Sequence, residues 1–190
     1  MSAVVRRTAR PNGWYGMVIL VASESAIFGT LLATYAYLRF RTPVWPPPGI
    51  APPSVTAPLV LSLLLLSTSI PMAIAAGAIR RGRVRPALVA VALAFAVQAV
   101  YLAFQAHLYA DDLARFSPRS GAYASIYFTV LAVHHAHVGV GLLLDAWVLA
   151  RLPAGLTEYR RTAVSAVALY SHFVNVAGLA VTATILSPTW

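Results

Sequence analysis

The side chains with chemical potential gather in one apolar stretch, Tyr123 to Trp147 (YASIYFTVLAVHHAHVGVGLLLDAW), which carries His134, His135, His137 and Asp145. Imidazoles beside a carboxylate invite metal ligation, haem ligation or proton transfer. Ionisable groups in a run long enough to cross a bilayer are costly unless they face protein partners, so such a cluster is by default a site hypothesis. At about 100° per residue, His134, Gly141 and Asp145 share one narrow face of a helix, His137 lies beside it, and His135 turns well away. At most two of these histidines therefore act together.

Polar residues in other apolar runs are candidates to join them: Glu24 in the first run, Gln98 and Gln105 in the third, His172 and Asn175 in the fifth. Glu24 stands about ten residues, roughly 15 Å, into its run, near the middle of a hydrocarbon core about 30 Å thick. A carboxyl group there is either a relay for protons or a group hydrogen-bonded to a neighbouring helix. Transmembrane haem needs axial ligands on facing helices, which His134 or His137 with His172 would supply. Interhelical hydrogen bonds among His, Asn and Gln would satisfy the same residues without any metal. Asp145, about one turn from the end of its run, is expected to reach water or Arg151.

Composition defines the elements that must hold these groups. Of 190 residues, 59% are hydrophobic and 10% charged, and the mean hydropathy is +0.75, which places the chain among integral membrane proteins. The formal net charge is +9. Its basic residues sit in short clusters between apolar runs, where membrane topology accounts for them and nucleic acid does not. There is no Cys, which excludes disulfides, thiolate metal sites and cysteine catalysis.

Five apolar segments, at about 14–38, 59–79, 86–109, 122–149 and 162–186, predict an all-α integral membrane bundle of five transmembrane helices, a single unit over residues 1–190. The first follows a polar arm with Arg6, Arg7 and Arg10, exceeds a signal-peptide core in length and contains Glu24, so it reads as an uncleaved span. Between the first two lies WPPPGIAPP, whose prolines remove backbone donors and force a stiff extended loop. Pro71, near the centre of the second span, predicts a kink. Gln98, Tyr101 and Gln105 share one face of the third span, with residues 110–120 read as a loop beyond it. His172 and Asn175 are neighbours on the fifth.

The arginines orient the bundle. With the N-terminus inside, the inner segments hold Arg6, Arg7, Arg10, Arg80, Arg81, Arg83, Arg85, Arg151, Arg160 and Arg161, and the outer ones only Arg39, Arg41, Arg115 and Arg119. Under the positive-inside rule this predicts a bacterial inner membrane protein with a cytoplasmic N-terminus and its C-terminus on the outer face. No phosphate-binding Gly-rich loop, nucleophile elbow or H-E-x-x-H helix is present, and no inverted repeat marks a carrier. A helical subunit of a larger complex fits best, an independent proton-coupled carrier centred on Glu24 being the alternative.

In order along the chain, the segments resemble subunit III of the haem-copper respiratory oxidases (cytochrome c or quinol oxidases), in its short five-helix bacterial form. Ser23, Glu24 and Phe28 match an S-E-x-x-x-F pattern, and Trp45, Pro46 and Pro47 a W-P-P loop. In AFQAHLY, Gln105 and Tyr109 match F-x-x-x-Q-x-x-E-Y, with Leu108 in place of the glutamate. YASIYFTVLAVHHAHVGVG is similar to Y-G-S-x-F-F-x-x-T-G-F-H-G-L-H-V-x-x-G, so that His134, His137, Val138 and Gly141 match while His135 replaces glycine. YSHFVNVAG is similar to W-H-F-V-D-V-x-W through His172, Phe173 and Val174. Ser171, Asn175 and Gly178 depart from it.

The resemblance implies a subunit without haem, copper or other metal of its own. Its partners would be the catalytic subunit I, which carries those cofactors, and subunit II, together with membrane phospholipids held in clefts; its role would be to stabilise subunit I and sustain proton uptake. Arg80, Arg81, Arg83 and Arg85 are the candidates for lipid headgroups. Cytochrome c oxidase, quinol oxidase and the subunit-III-like protein of nitric oxide reductase systems remain open as branches.

Overall fold

A computed structural model describes residues 11–187. The polar arm with Arg6, Arg7 and Arg10, and the last three residues, lie outside the described residues. The chain forms α1 (Asn12–Arg41), α2 (Thr56–Ser67), α3 (Ser69–Arg80), α4 (Val84–Arg115), α5 (Ala122–Arg151) and α6 (Glu158–Leu186), with a short 3-10 turn Leu152–Ala154 after α5. Among the described residues, five continuous helical stretches are long and apolar enough to cross a membrane, α2 and α3 together making one of them. The architecture is an all-α bundle.

The helices run past the apolar segments because charged end residues tolerate water while the backbone goes on bonding itself. α4 shows this most: it continues through Asp111, Asp112 and Arg115, where the sequence suggests a loop, and ends only as Phe116 turns extended ahead of Pro118. The turn between α3 and α4 is tight because Gly82 adopts φ +74°, a conformation that side-chain-bearing residues rarely adopt. α6 starts on a cap: Thr157 Oγ1 accepts from the Arg160 backbone N–H at 3.2 Å, and Glu158 in the first turn complements the helix dipole.

The second span breaks at Thr68, three residues before Pro71. Proline has no N–H, so the Ser67 carbonyl lacks its helical donor. At the break the Thr68 N–H makes a tighter, three-residue bond to Leu65 O of 3.0 Å. The Ser67 and Thr68 hydroxyls donate back to Leu64 O (2.6 Å) and Leu65 O (2.7 Å).

α6 packs against α1, α2, α3 and α5, while α4 packs against α2, α3 and α5. One end of the core is built from small residues, Ala75, Ala76 and Ala78 of α3 against Ala87, Ala90 and Ala94 of α4, which lets backbones approach where lipid supplies no hydrophobic drive. The other end is aromatic: Trp45 of the proline-rich loop donates from Nε1 to Tyr35 Oη at 3.1 Å and packs edge-on against Tyr123. α1 joins the bundle through α5 and α6 and leaves most of its length exposed, with Ile19 at 67% and Phe40 at 83%.

Candidate functional site

The polar residues form a seam through the bundle, and the helices that carry it follow from their spacing. On α4, Gln98, Tyr101 and Gln105 are all buried on one face, which meets the face of α5 that bears His134, Gly141 and Asp145. Gln98 Nε2 donates to Asp145 Oδ2 at 2.9 Å. One helical level away, Gln105 Nε2 donates to the Tyr101 hydroxyl at 3.2 Å, and that hydroxyl lies 3.1 Å from His134 Nε2.

Asp145 therefore does not reach water or Arg151. It is fully buried, with Oδ1 unpartnered, because the α4–α5 packing turns its face inward and Gln98 supplies the donor. Spacing alone underrated it, since its distance from the end of the apolar run suggested an exposed position.

Two glycines make the approach possible. A Cβ on Gly141 would stand 3.3 Å from Gln98 Oε1 and 3.7 Å from the Tyr170 ring. A Cβ on Gly178 of α6 would meet His134 Cε1 at 2.7 Å and Nε2 at 2.8 Å, closer than side-chain packing allows. His134, fully buried, thus lies against bare backbone, and Gly178 belongs to the site by what it lacks.

His137 serves a different contact. Its Nε2 is 3.0 Å from Glu24 Oε2 of α1, its Nδ1 is 2.7 Å from Val133 O, and Tyr170 Oη donates to its backbone carbonyl at 3.1 Å. Phe28 stands edge-on to the ring at 5.0 Å between centroids. Glu24 and His137 are a polar attachment of α1 to the bundle at mid-helix, and near the end of α1 Arg39 Nη1 donates to Ser187 O at 2.6 Å.

Asn175 of α6 is buried, and its Nδ2 donates to Thr68 Oγ1 (3.0 Å) and Ser69 Oγ (2.8 Å) at the break between α2 and α3. The hydroxyls exposed by the break are its acceptors. A second link joins the same pair of spans, Ser62 Oγ to Thr182 Oγ1 at 2.6 Å.

His172 does not join the other histidines. It lines a cleft of about 680 Å³ between the start of α1, the end of α3 and the first half of α6, with Trp14, Arg80, Glu158 and Arg161. The axial pairing of His172 with His134 or His137 is thereby corrected, because the face of α6 that carries His172 looks into this cleft. Among the described residues no group of three metal-ligating side chains comes together. Arg161 Nη1 also donates to Ile79 O at 3.2 Å, which holds a cation at the cleft's basic end. Arg81 lines a shallower groove beside Ser69, Gly77 and Arg80; Arg83 and Arg85 are exposed at the turn and line neither.

His135 faces a second cavity, of about 570 Å³, under the proline-rich loop. It stands edge-on to Tyr109 at 5.8 Å, and its Nε2 is buried with no protein partner. At the mouth, Tyr127 Oη donates to Asp112 Oδ2 at 2.6 Å.

A family model described as cytochrome c oxidase subunit III matches residues 7–187. A cytochrome bo(3) ubiquinol oxidase subunit 3 from Buchnera aphidicola subsp. Acyrthosiphon pisum (strain APS) is 28% identical over 88 residues. That match spans 45% of this chain and 43% of the relative, less than half the length of either.

Proposed function

The chain belongs to the cytochrome c oxidase subunit III family, and from that premise we propose that it is the non-catalytic subunit III of a terminal haem-copper oxidase in an aerobic respiratory chain. In this reading it stabilises catalytic subunit I, contacts subunit II, and sustains proton uptake without any haem or copper of its own. The observation that carries the proposal is the family match over residues 7–187. The geometry supports it: Gln98 with Asp145, Tyr101 with His134, Glu24 with His137 and Asn175 with Thr68 pair across helices, as in a scaffold. Glu24, Gln98, Gln105, His134, His137, His172 and Asn175 then act as structural or proton-related groups.

The membrane is the bacterial inner membrane, with the N-terminus cytoplasmic and the C-terminus outside. The start of α1, Arg80 and Arg161 line one cleft, so the arginine-rich ends lie together, in keeping with the positive-inside rule. That cleft also suits phospholipid: an anionic headgroup meets Arg80 and Arg161, and its chains run along Ala73, Ala76, Ala168 and Leu169. Arg81, Arg83 and Arg85 would act more weakly, from the surface.

Affinity purification of the tagged chain from gently solubilised membranes tests the function. The expected result is co-purification of a much larger, haem-bearing membrane chain with oxidase activity. Recovery of this chain alone, with proton or solute flux in liposomes that Glu24→Gln abolishes, would instead establish an independent carrier.

A further inference from the structure

The cavity under the proline-rich loop has a shape and a lining that the scaffold role leaves unused. Its lining runs from Tyr123 to His135, twelve residues and hence about 18 Å along α5. Tyr123 lies near the loop-side end of α5, and His135 lies near that helix's middle. A single cavity thus connects the proline-rich surface with the layer that holds His134, His137 and Glu24.

The floor is polar. Gln105, His135 and Thr182 line the cavity at depth, while Asp111, Asp112 and Arg115 stand at its mouth. Gln105 has given one of its two amide N–H groups to Tyr101, and His135 Nε2 has no protein partner. Leaving a buried donor or acceptor unpaired costs about 1–3 kcal/mol, and an adjacent polar cavity lets a small ring movement recover it from water. Genuinely empty cavities are apolar, whereas polar and roomy ones fill with water. A cavity of about 570 Å³ far exceeds the roughly 10–15 Å³ that one water needs.

We propose that this cavity is a hydrated half-channel, open on the side of the proline-rich loop and closed at His135, whose ligand is water. It gives the mid-membrane histidine layer contact with one aqueous phase. The chain Gln105, Tyr101 and His134 continues hydrogen bonding inward from its floor, while the Leu65–Val138–Tyr170–Val174 cluster is apolar packing at the core.

The chain has no cysteine, so single-cysteine variants can be read directly in sealed vesicles that hold it with its native partners. The probe is a charged, membrane-impermeant thiosulfonate, applied to one side at a time. Ser54→Cys marks the loop side, Leu131→Cys and His135→Cys sample the cavity, and Ala132→Cys samples the bundle exterior at the same depth. A charged reagent in hydrocarbon faces several kcal/mol, so Leu131→Cys should react at least about a hundredfold faster than Ala132→Cys, and only from the side that labels Ser54→Cys. Leu131→Trp, one turn above the floor, should slow labelling of His135→Cys.

Silence at Leu131→Cys while Ser54→Cys reacts would overturn the proposal. So would reaction with a lipid-soluble reagent alone, which identifies an acyl chain as the occupant. Labelling from the opposite side would show a different route. The Leu131→Cys result does not depend on whether His135→Cys folds.

Discussion

His137 Nε2 lies 3.0 Å from Glu24 Oε2 while Nδ1 of the same ring lies 2.7 Å from the carbonyl oxygen of Val133. A carbonyl only accepts, so Nδ1 carries a hydrogen, and the contact with Glu24 is made through a single further proton shared between ring and carboxyl. α1, largely exposed along its length, is seated at its middle by this link and by Phe28, and at its end by buried Tyr35 and by Arg39 donating to Ser187 O.

Glu24→Gln should therefore retain much of the link, since an amide N–H supplies a donor to Nε2 at nearly the same position. Glu24→Ala should lose it and loosen α1. Interhelical hydrogen bonds in membranes average about 0.6 kcal/mol and reach about 1.7. The expected effect of Glu24→Ala is accordingly a lower melting temperature and faster decay of turnover in the purified complex, with initial electron transfer nearly normal. Immediate and complete loss of electron transfer would refute this role.

Gly178→Ala should be more damaging than loss of the Glu24–His137 link. Its Cβ would stand 2.7 and 2.8 Å from the His134 ring, and overpacking of this kind costs about 1–3 kcal/mol. Relief by a second substitution makes the test specific: His134→Ala should be less harmful in the Gly178→Ala background than in the parent. Thermal unfolding of the four proteins in one detergent measures the coupling.

Gln98→Leu should destabilise by about 1–3 kcal/mol, because it leaves the Asp145 carboxyl buried without its donor. Replacing both, in Gln98→Leu/Asp145→Leu, should recover most of that loss, since paired removal of buried polar groups is close to neutral. Additive losses in the double variant would mean that Asp145 has another role.

Arg80→Ala should reduce the phospholipid that stays with the protein through detergent washing, and Arg80→Ala with Arg161→Ala should reduce it further, because both line the cleft with His172. Juxtamembrane arginines contribute about 1 kcal/mol each toward anionic lipid, roughly a fivefold loss of retention per residue at that energy. Quantitative lipid extraction measures it. Arg83→Ala, outside the cleft, serves as the comparison and should lose much less lipid than Arg80→Ala does.

Hydropathy and spacing were sufficient for the five spans, since a run of apolar residues about 30 Å long has one stable backbone solution in hydrocarbon. They were sufficient also for the stripe Gln98, Tyr101 and Gln105, because residues three, four and seven apart share a face in any helix. Motif order carried the likeness to subunit III. What a helix face meets is a property of the other helices, so the partners of that stripe were decided only by tertiary structure. Packing of α4 on α5 buried Asp145 against Gln98, and the approach of α6 gave Gly178 its meaning beside His134. The turn of α6 sent His172 into a separate cleft away from the other histidines, and the proline-rich loop roofed the cavity that His135 lines. Pro71 announced a disturbance in the second span, but Asn175 as its partner follows from two helices lying side by side, which no local pattern encodes.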